Sequence, residues 1–214
     1  MATDQLKLYN GALRLCKERR LASLTEAREP RRLLDDAWNN EAREHCLEQG
    51  LWNFAMRAAQ LDYVTSIVPS FGYQRVFNKP DDYVRLAAIS ADGYLRAPLL
   101  QYFEEGPYWL ADLDVIYVKY VSKSTQHGLD MSLWPSSFTK FVEAYLALQI
   151  VGKLTTDSAR AKEVQSLFKH WRAEARSVDA MAEPTQFPPQ GGWVTARGGG
   201  GRRGDGGSNT NLLG

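Results

Sequence analysis

The sequence predicts an α+β fold: a bundle of about four helices, two N-terminal and two C-terminal, with an inserted antiparallel β-meander and an extended C-terminal arm. Three observations carry that expectation. Apolar residues recur at helical spacing near both ends of the chain, whereas the middle alternates with period two between turn residues. After Ala182 the composition changes abruptly to Pro, Gly and Gln. The expected division is a helical domain of residues 1–53 and 132–182, a β-rich domain of 54–131 and an arm of 183–214.

Thr3 is a good N-cap, and Leu6, Tyr9, Leu13 and Cys16 follow on one face, which predicts a helix near 3–19. Gly11 weakens that helix by roughly 1 kcal/mol relative to alanine. Pro30 suits the first turn of a second helix, because its missing N–H has no partner there. Leu33, Leu34, Ala37, Trp38, Ala42 and Cys46 form its apolar stripe, and Gly50 is a natural stop. WNFAMRAAQLDYV then reads as period two with an interruption. LAAISA, PLLQYF, YWLADL and DVIYVKYVS each read as strands, the last most clearly: Val115, Tyr117 and Lys119 alternate with Ile116, Val118 and Tyr120. ADG and EEGP are turn material, favouring hairpins over βαβ units. Pro135 opens a third helix carrying Phe138, Phe141, Val142, Tyr145, Leu146 and Ile150 on one face. Asp157 caps a fourth, with Ala161, Val164, Phe168, Trp171, Ala175 and Val178.

Composition narrows the function classes. The 214 residues are 44% hydrophobic and 24% charged, as in a soluble globular protein. A formal net charge of +1 is not that of a polycation built to neutralise phosphates. Cys16 and Cys46 both fall on helical segments and read as reduced, partly buried thiols. MATDQLKLYN has an early acid and no long apolar run, so no secretory signal is expected. No segment reaches the roughly 20 apolar residues of a membrane span. The expected location is a cytoplasm, or a particle assembled there.

No convergent chemistry is legible. His45, His127 and His170 lie far apart and outside any metal-binding spacing. The carboxylate pairs Asp35/Asp36, Asp81/Asp82 and Glu104/Glu105 diverge in direction on helix or strand and read as solvated acids. Asp112 and Asp114 could share a strand face, the best hint of a cation site. Neither a catalytic residue, a cofactor nor a metal is expected. In the arm, Gly199, Gly201 and Gly204 spell a dinucleotide fingerprint but have no flanking strand and helix, so the cradle cannot form. Arg203, Gly204 and Asp205 spell an adhesion tripeptide, which would matter only outside an animal cell.

LYNGALRLCKERRLASLTEAREPRRLLDDAW, CLEQGLWNFAMR, FNKPDDYVRL, IYVKYVS and WPSSFTKFVEAYLALQI, in that order over roughly residues 6–152, resemble the phage tail tubular protein A family. That family forms the head-to-tail adaptor of short-tailed phages. The resemblance implies a ring, usually of twelve copies, between the portal protein and a nozzle or tubular protein B-like partner. It implies that genomic DNA passes through the lumen without sequence-specific binding, with no membrane, cofactor or reaction involved. The expected location becomes the virion neck, assembled in the bacterial cytoplasm. A ring needs two different complementary patches per subunit, and Trp38, Phe141, Tyr145, Phe168 and Trp171 are the expected interface residues. The arm is too poor in apolar residues to fold alone. It is expected to dock on the portal through Phe187, Trp193, Val194, Leu212 and Leu213, with Arg197, Arg202 and Arg203 supplying charge contacts. The runner-up is a nucleic-acid-binding accessory protein using that Arg/Gly arm; a third reading is a small hydrolase.

Overall fold

The computed structural model describes residues 4–69 and 71–182, and its fold is α+β. Helix α1 (Gln5–Leu15) is capped by Asp4 and not by Thr3: the Asp4 carboxylate accepts from the Lys7 amide at 2.7 Å. The helix stops at Leu15, short of the expected 19. Lys17 takes a left-handed φ of 60°, the Lys17 amide donates to Arg14 and the Glu18 amide to Leu13. That pattern closes a helix by satisfying its last carbonyls.

The second helical segment is continuous but not uniform. Helix α2 (Glu29–Ala37) has Pro30 in its first turn, widens into a π turn (Trp38–Ala42), and continues as α3 (Arg43–Glu48). Helix α4 (Ser136–Leu154) follows Pro135. Helix α5 (Ser158–Ala182) starts where the Asp157 carboxylate accepts from the Ala159 amide at 2.9 Å, the cap that the sequence predicts. Four helical rods, α2 to α3 counted as one, therefore flank the strands among the described residues.

Strands β1 (Met56–Asp62), β3 (Tyr83–Ser90) and β6 (Val115–Ser122) form one antiparallel sheet, with β6 in the centre. Strands β2 (Arg75–Asn78), β4 (Phe103–Glu105) and β5 (Tyr108–Ala111) form a second, with β5 in the centre. The inserted unit is antiparallel as expected, but its order is not that of a simple meander, since only β4 and β5 are neighbours in both chain and sheet. PLLQYF is a correction. It contributes Phe103 to β4, while Pro98, which has no N–H to donate, makes a single bridge to Ser90. RVFN, which carried no strand expectation, is β2.

Two hydrophobic clusters fill the unit that spans Met1–Glu183. One gathers the helices around α4, which buries residues on nearly every side. Trp52, Trp134, Phe138 and Phe141 meet there at ring separations of 4.8–6.1 Å. The other lies between the sheets, where Ile116, Val118 and Tyr120 of β6 face Phe77, Trp109 and Ala111.

Candidate interaction surface

The strand registers direct three connections to one end of the β-rich part. Asp62 pairs with Val115, Ser90 with Tyr117, Arg75 with Ala111, and Phe103 with Leu110. The β1–β2, β3–β4 and β5–β6 connections therefore leave the sheets together, at the end opposite to where Met56 and Ser122 meet the helices. Short polar contacts join the β1–β2 and β5–β6 connections: the Gln74 amide donates to Asp112 Oδ1 at 2.8 Å, Arg75 Nε to Asp114 Oδ1 at 3.0 Å, and the Tyr63 amide to the Asp114 carbonyl. Asp112 and Asp114, the hint of a cation site in the sequence, thus hold loops. Among the described residues no three His, Cys, Asp or Glu side chains are grouped to hold a metal.

This end is apolar. Val68, Phe71, Tyr94 and Leu100 are 84%, 89%, 82% and 87% exposed, with Leu95 and Phe103 beside them in sequence. Large apolar side chains scattered singly on a surface are ordinary, but a concentration of them marks an interaction site. The sequence did not mark these residues as a surface: Val68, Phe71, Tyr94 and Leu95 sit in loops without periodicity, and Leu100 and Phe103 fall in PLLQYF, which reads as a strand. The usable signal was the density of large apolar residues in VTSIVPSFGY and DGYLRAPLLQYF, where turns normally carry polar ones.

The expected interface residues lie elsewhere, and three of the five face inward. Trp38, Phe141 and Tyr145 are 6%, 0% and 4% exposed, so they belong to the protomer's own core. Trp38 packs on Trp134, and Tyr145 stacks on His45 at 4.7 Å while its hydroxyl donates to Glu41. Phe168 and Trp171 are half-buried against α4, Phe168 at 5.7 Å from the Phe141 ring and Trp171 under the Lys140 ammonium. Helix α4 is surrounded, so its own aromatic face is covered by α5 and α2, while Phe168 and Trp171 of α5 keep part of their surface exposed. Phe187, Trp193, Val194, Arg197, Arg202, Arg203, Leu212 and Leu213 lie outside the described residues.

Two open grooves flank the junction between helices and strands. One, of about 390 Å³, is lined by the π turn with Glu44, Asp81, Asp82 and Lys123. At its edge Asp82 accepts from Arg57 Nη1 (2.8 Å), Tyr120 OH (2.9 Å) and Ser122 Oγ (2.5 Å). Burial pushes that carboxyl up, but the bonds from Ser122, Arg57 and Tyr120 outweigh it and hold it below the usual carboxylate range. Asp82 is consequently a fixed anion and a strut, ill-suited to donating a proton. The second groove, of about 380 Å³, lies beside Leu51, Trp52, Arg85 and Arg176. Its two arginines are occupied: Arg85 Nη1 donates to the Glu48 carbonyl and Arg176 Nη2 to that of Gln49, closing the end of α3.

The remaining reactive groups are subdued by packing. Burial pushes the Cys16 thiol up to about 11 and raises that of Cys46 further, so both stay protonated at neutral pH. Burial likewise lifts the Glu143 carboxyl despite Arg14 at 3.6 Å. No helix among the described residues is long and apolar enough to cross a membrane. No protein-family profile matches the sequence, and no curated protein matches it.

Proposed function

We propose that this chain is a structural head-to-tail adaptor of a short-tailed phage. Copies form a ring, twelve by the resemblance, between the portal and the tail nozzle, and the ring extends the channel through which DNA leaves. The single observation that carries the reading is the apolar end of the β-rich part. Four large apolar side chains more than four-fifths exposed on two neighbouring loops suit a component whose surface is completed by assembly. The helical part supplies a stiff body around α4, and the loops at the far end of the strands meet the next ring. The arm from about Glu183 onward reaches a neighbouring protein, taken to be the portal. The chain acts by binding and carries out no reaction. DNA slides through the lumen, a role with which a net charge of +1 is compatible.

Size-exclusion chromatography with light scattering, with and without the portal protein, tests the reading. A closed ring of defined multiplicity, alone or on the portal, is the expected result. A strictly monomeric protein that binds DNA tightly and with strong salt dependence overturns it in favour of the nucleic-acid-binding alternative.

A further inference from the structure

We infer that the β3–β4 connection is a preformed knob, with Tyr94 and Leu95 at its tip and Leu100 on its returning stem. It docks into an apolar groove of a different folded protein, one whose rim carries a carboxylate for Arg96. The inference rests on the assembly reading above only in supposing that the chain has a protein neighbour.

Its construction is the first argument. The Asp92 carboxylate organises the loop from inside: its Oδ1 accepts from Ser90 Oγ (2.5 Å), the Arg96 amide (2.9 Å) and the Ala97 amide (3.0 Å). The Ala91 amide donates to the Ala97 carbonyl, Ser90 Oγ also reaches that carbonyl, and the Leu99 amide donates to Ile89. Those bonds pin both stems to β3. The tip is held in a costly conformation, with Leu95 at a φ of 57°, a left-handed region that a branched side chain rarely occupies. A loop that only joined two strands would gain nothing from presenting Tyr94 and Leu100 to water. One that binds gains affinity because its ordering is complete before the partner arrives.

The surface chemistry selects the kind of partner. Phe71, Tyr94 and Phe103 are aromatic rings of the size that bury about 150–250 Å² each in cores and interfaces. Arg96 lies over the Tyr94 ring at 5.6 Å and has no ion pair among the described residues. Asp92 is used internally, and Arg75 is paired with Asp114. The patch thus presents one free cation at the edge of an apolar surface, which an acidic rim complements. A lipid surface would call for a cluster of basic residues, whereas Asp62, Asp112 and Asp114 stand at this end. A second copy meeting this one across a two-fold axis at the same patch would set Arg96 against Arg96.

The test places a photo-crosslinking amino acid at position 94 of the full chain in producing cells, and identifies the crosslinked peptide by mass spectrometry. The identified protein is then purified and titrated against three variants. The expected crosslink is to another protein, at apolar residues beside an Asp or Glu. Tyr94→Ser/Leu100→Ser should weaken binding about 100-fold, as loss of central anchors does. Arg96→Glu and Asp92→Ala should each weaken it about tenfold, the latter by loosening a loop whose apolar tip is intact. Crosslinks confined to copies of this chain, co-sedimentation with phosphatidylcholine vesicles in place of a protein crosslink, or unchanged affinity in Asp92→Ala overturns the inference. Light scattering on the same variants keeps the two ideas separate. A ring that forms while the knob shows no partner removes this inference alone, and a knob that binds on a chain that forms no ring removes the adaptor alone.

Discussion

Gly11 sits inside α1, where glycine costs roughly 1 kcal/mol relative to alanine, and its reason lies across the helix crossing. A Cβ built there would fall 2.1 Å from the Glu143 carboxyl carbon of α4. Gly11→Ala is therefore expected to lose stability in spite of its better helix propensity. In a double-mutant cycle with Glu143→Ala by urea denaturation, the pair should couple by about 1 kcal/mol or more; additive effects would show that the carboxyl simply swings away. Glu143 has a second consequence. Its folded-state pKa is raised by burial, so its contribution is fully present below the unfolded value near 4.3 and is lost as pH rises through the folded one. Glu143→Gln should stabilise the protein at neutral pH and flatten its pH dependence between there and the carboxylate range. Asp82 has the opposite sign. Its lowered pKa contributes stability above the unfolded value of about 3.9, and that stability is lost as pH falls through the folded value. Asp82→Ala should cost about 2–3 kcal/mol at neutral pH by orphaning Tyr120, Ser122 and Arg57. Neither carboxylate was legible as special: Asp82 read as one of a solvated pair, because its three donors come from residues 25 to 40 positions away.

At the scale of elements, the two C-terminal helices were legible almost to the residue, since Pro135 and Asp157 stand where the starts occur. The burial of α4 was not. Its apolar positions gave one face, yet α1, α2 and α5 cover it from several sides, so Phe141 is a core residue and not an interface anchor. Phe141→Ala is expected to cost about 3–5 kcal/mol without changing the oligomeric state beyond what unfolding causes; thermal melting with light scattering reads both. Strand β2 escaped notice because Val76 and Phe77 are both buried, in a strand of four residues that cannot display a period. Gly128 is a clearer constraint. A Cβ there would lie 2.1 Å from the Ser122 carbonyl, and the Gly128 carbonyl accepts from Trp134 Nε1 at 2.9 Å. Gly128→Ala should destabilise by about 1–3 kcal/mol, because backbone has to move.

For the whole molecule, the buried residues of both hydrophobic clusters, among the described residues, run no further than Ala175. A chain truncated after Ala182 is accordingly expected to melt within a few degrees of the full one while its attachment to the portal weakens. Unchanged attachment would remove the arm from the proposed function. Local spacing by itself determined the α+β class, the succession of helices, strands and helices, the helix starts at Pro135 and Asp157 and the alternation along β6, since each depends on neighbours within a few residues. Only the tertiary structure decided the pairing of β6 between β1 and β3, the encirclement of α4, and the gathering of three loops into one apolar end. Those features depend on contacts between residues tens of positions apart, and a period of two or of 3.6 carries no information about which distant surface will cover a face or leave it bare.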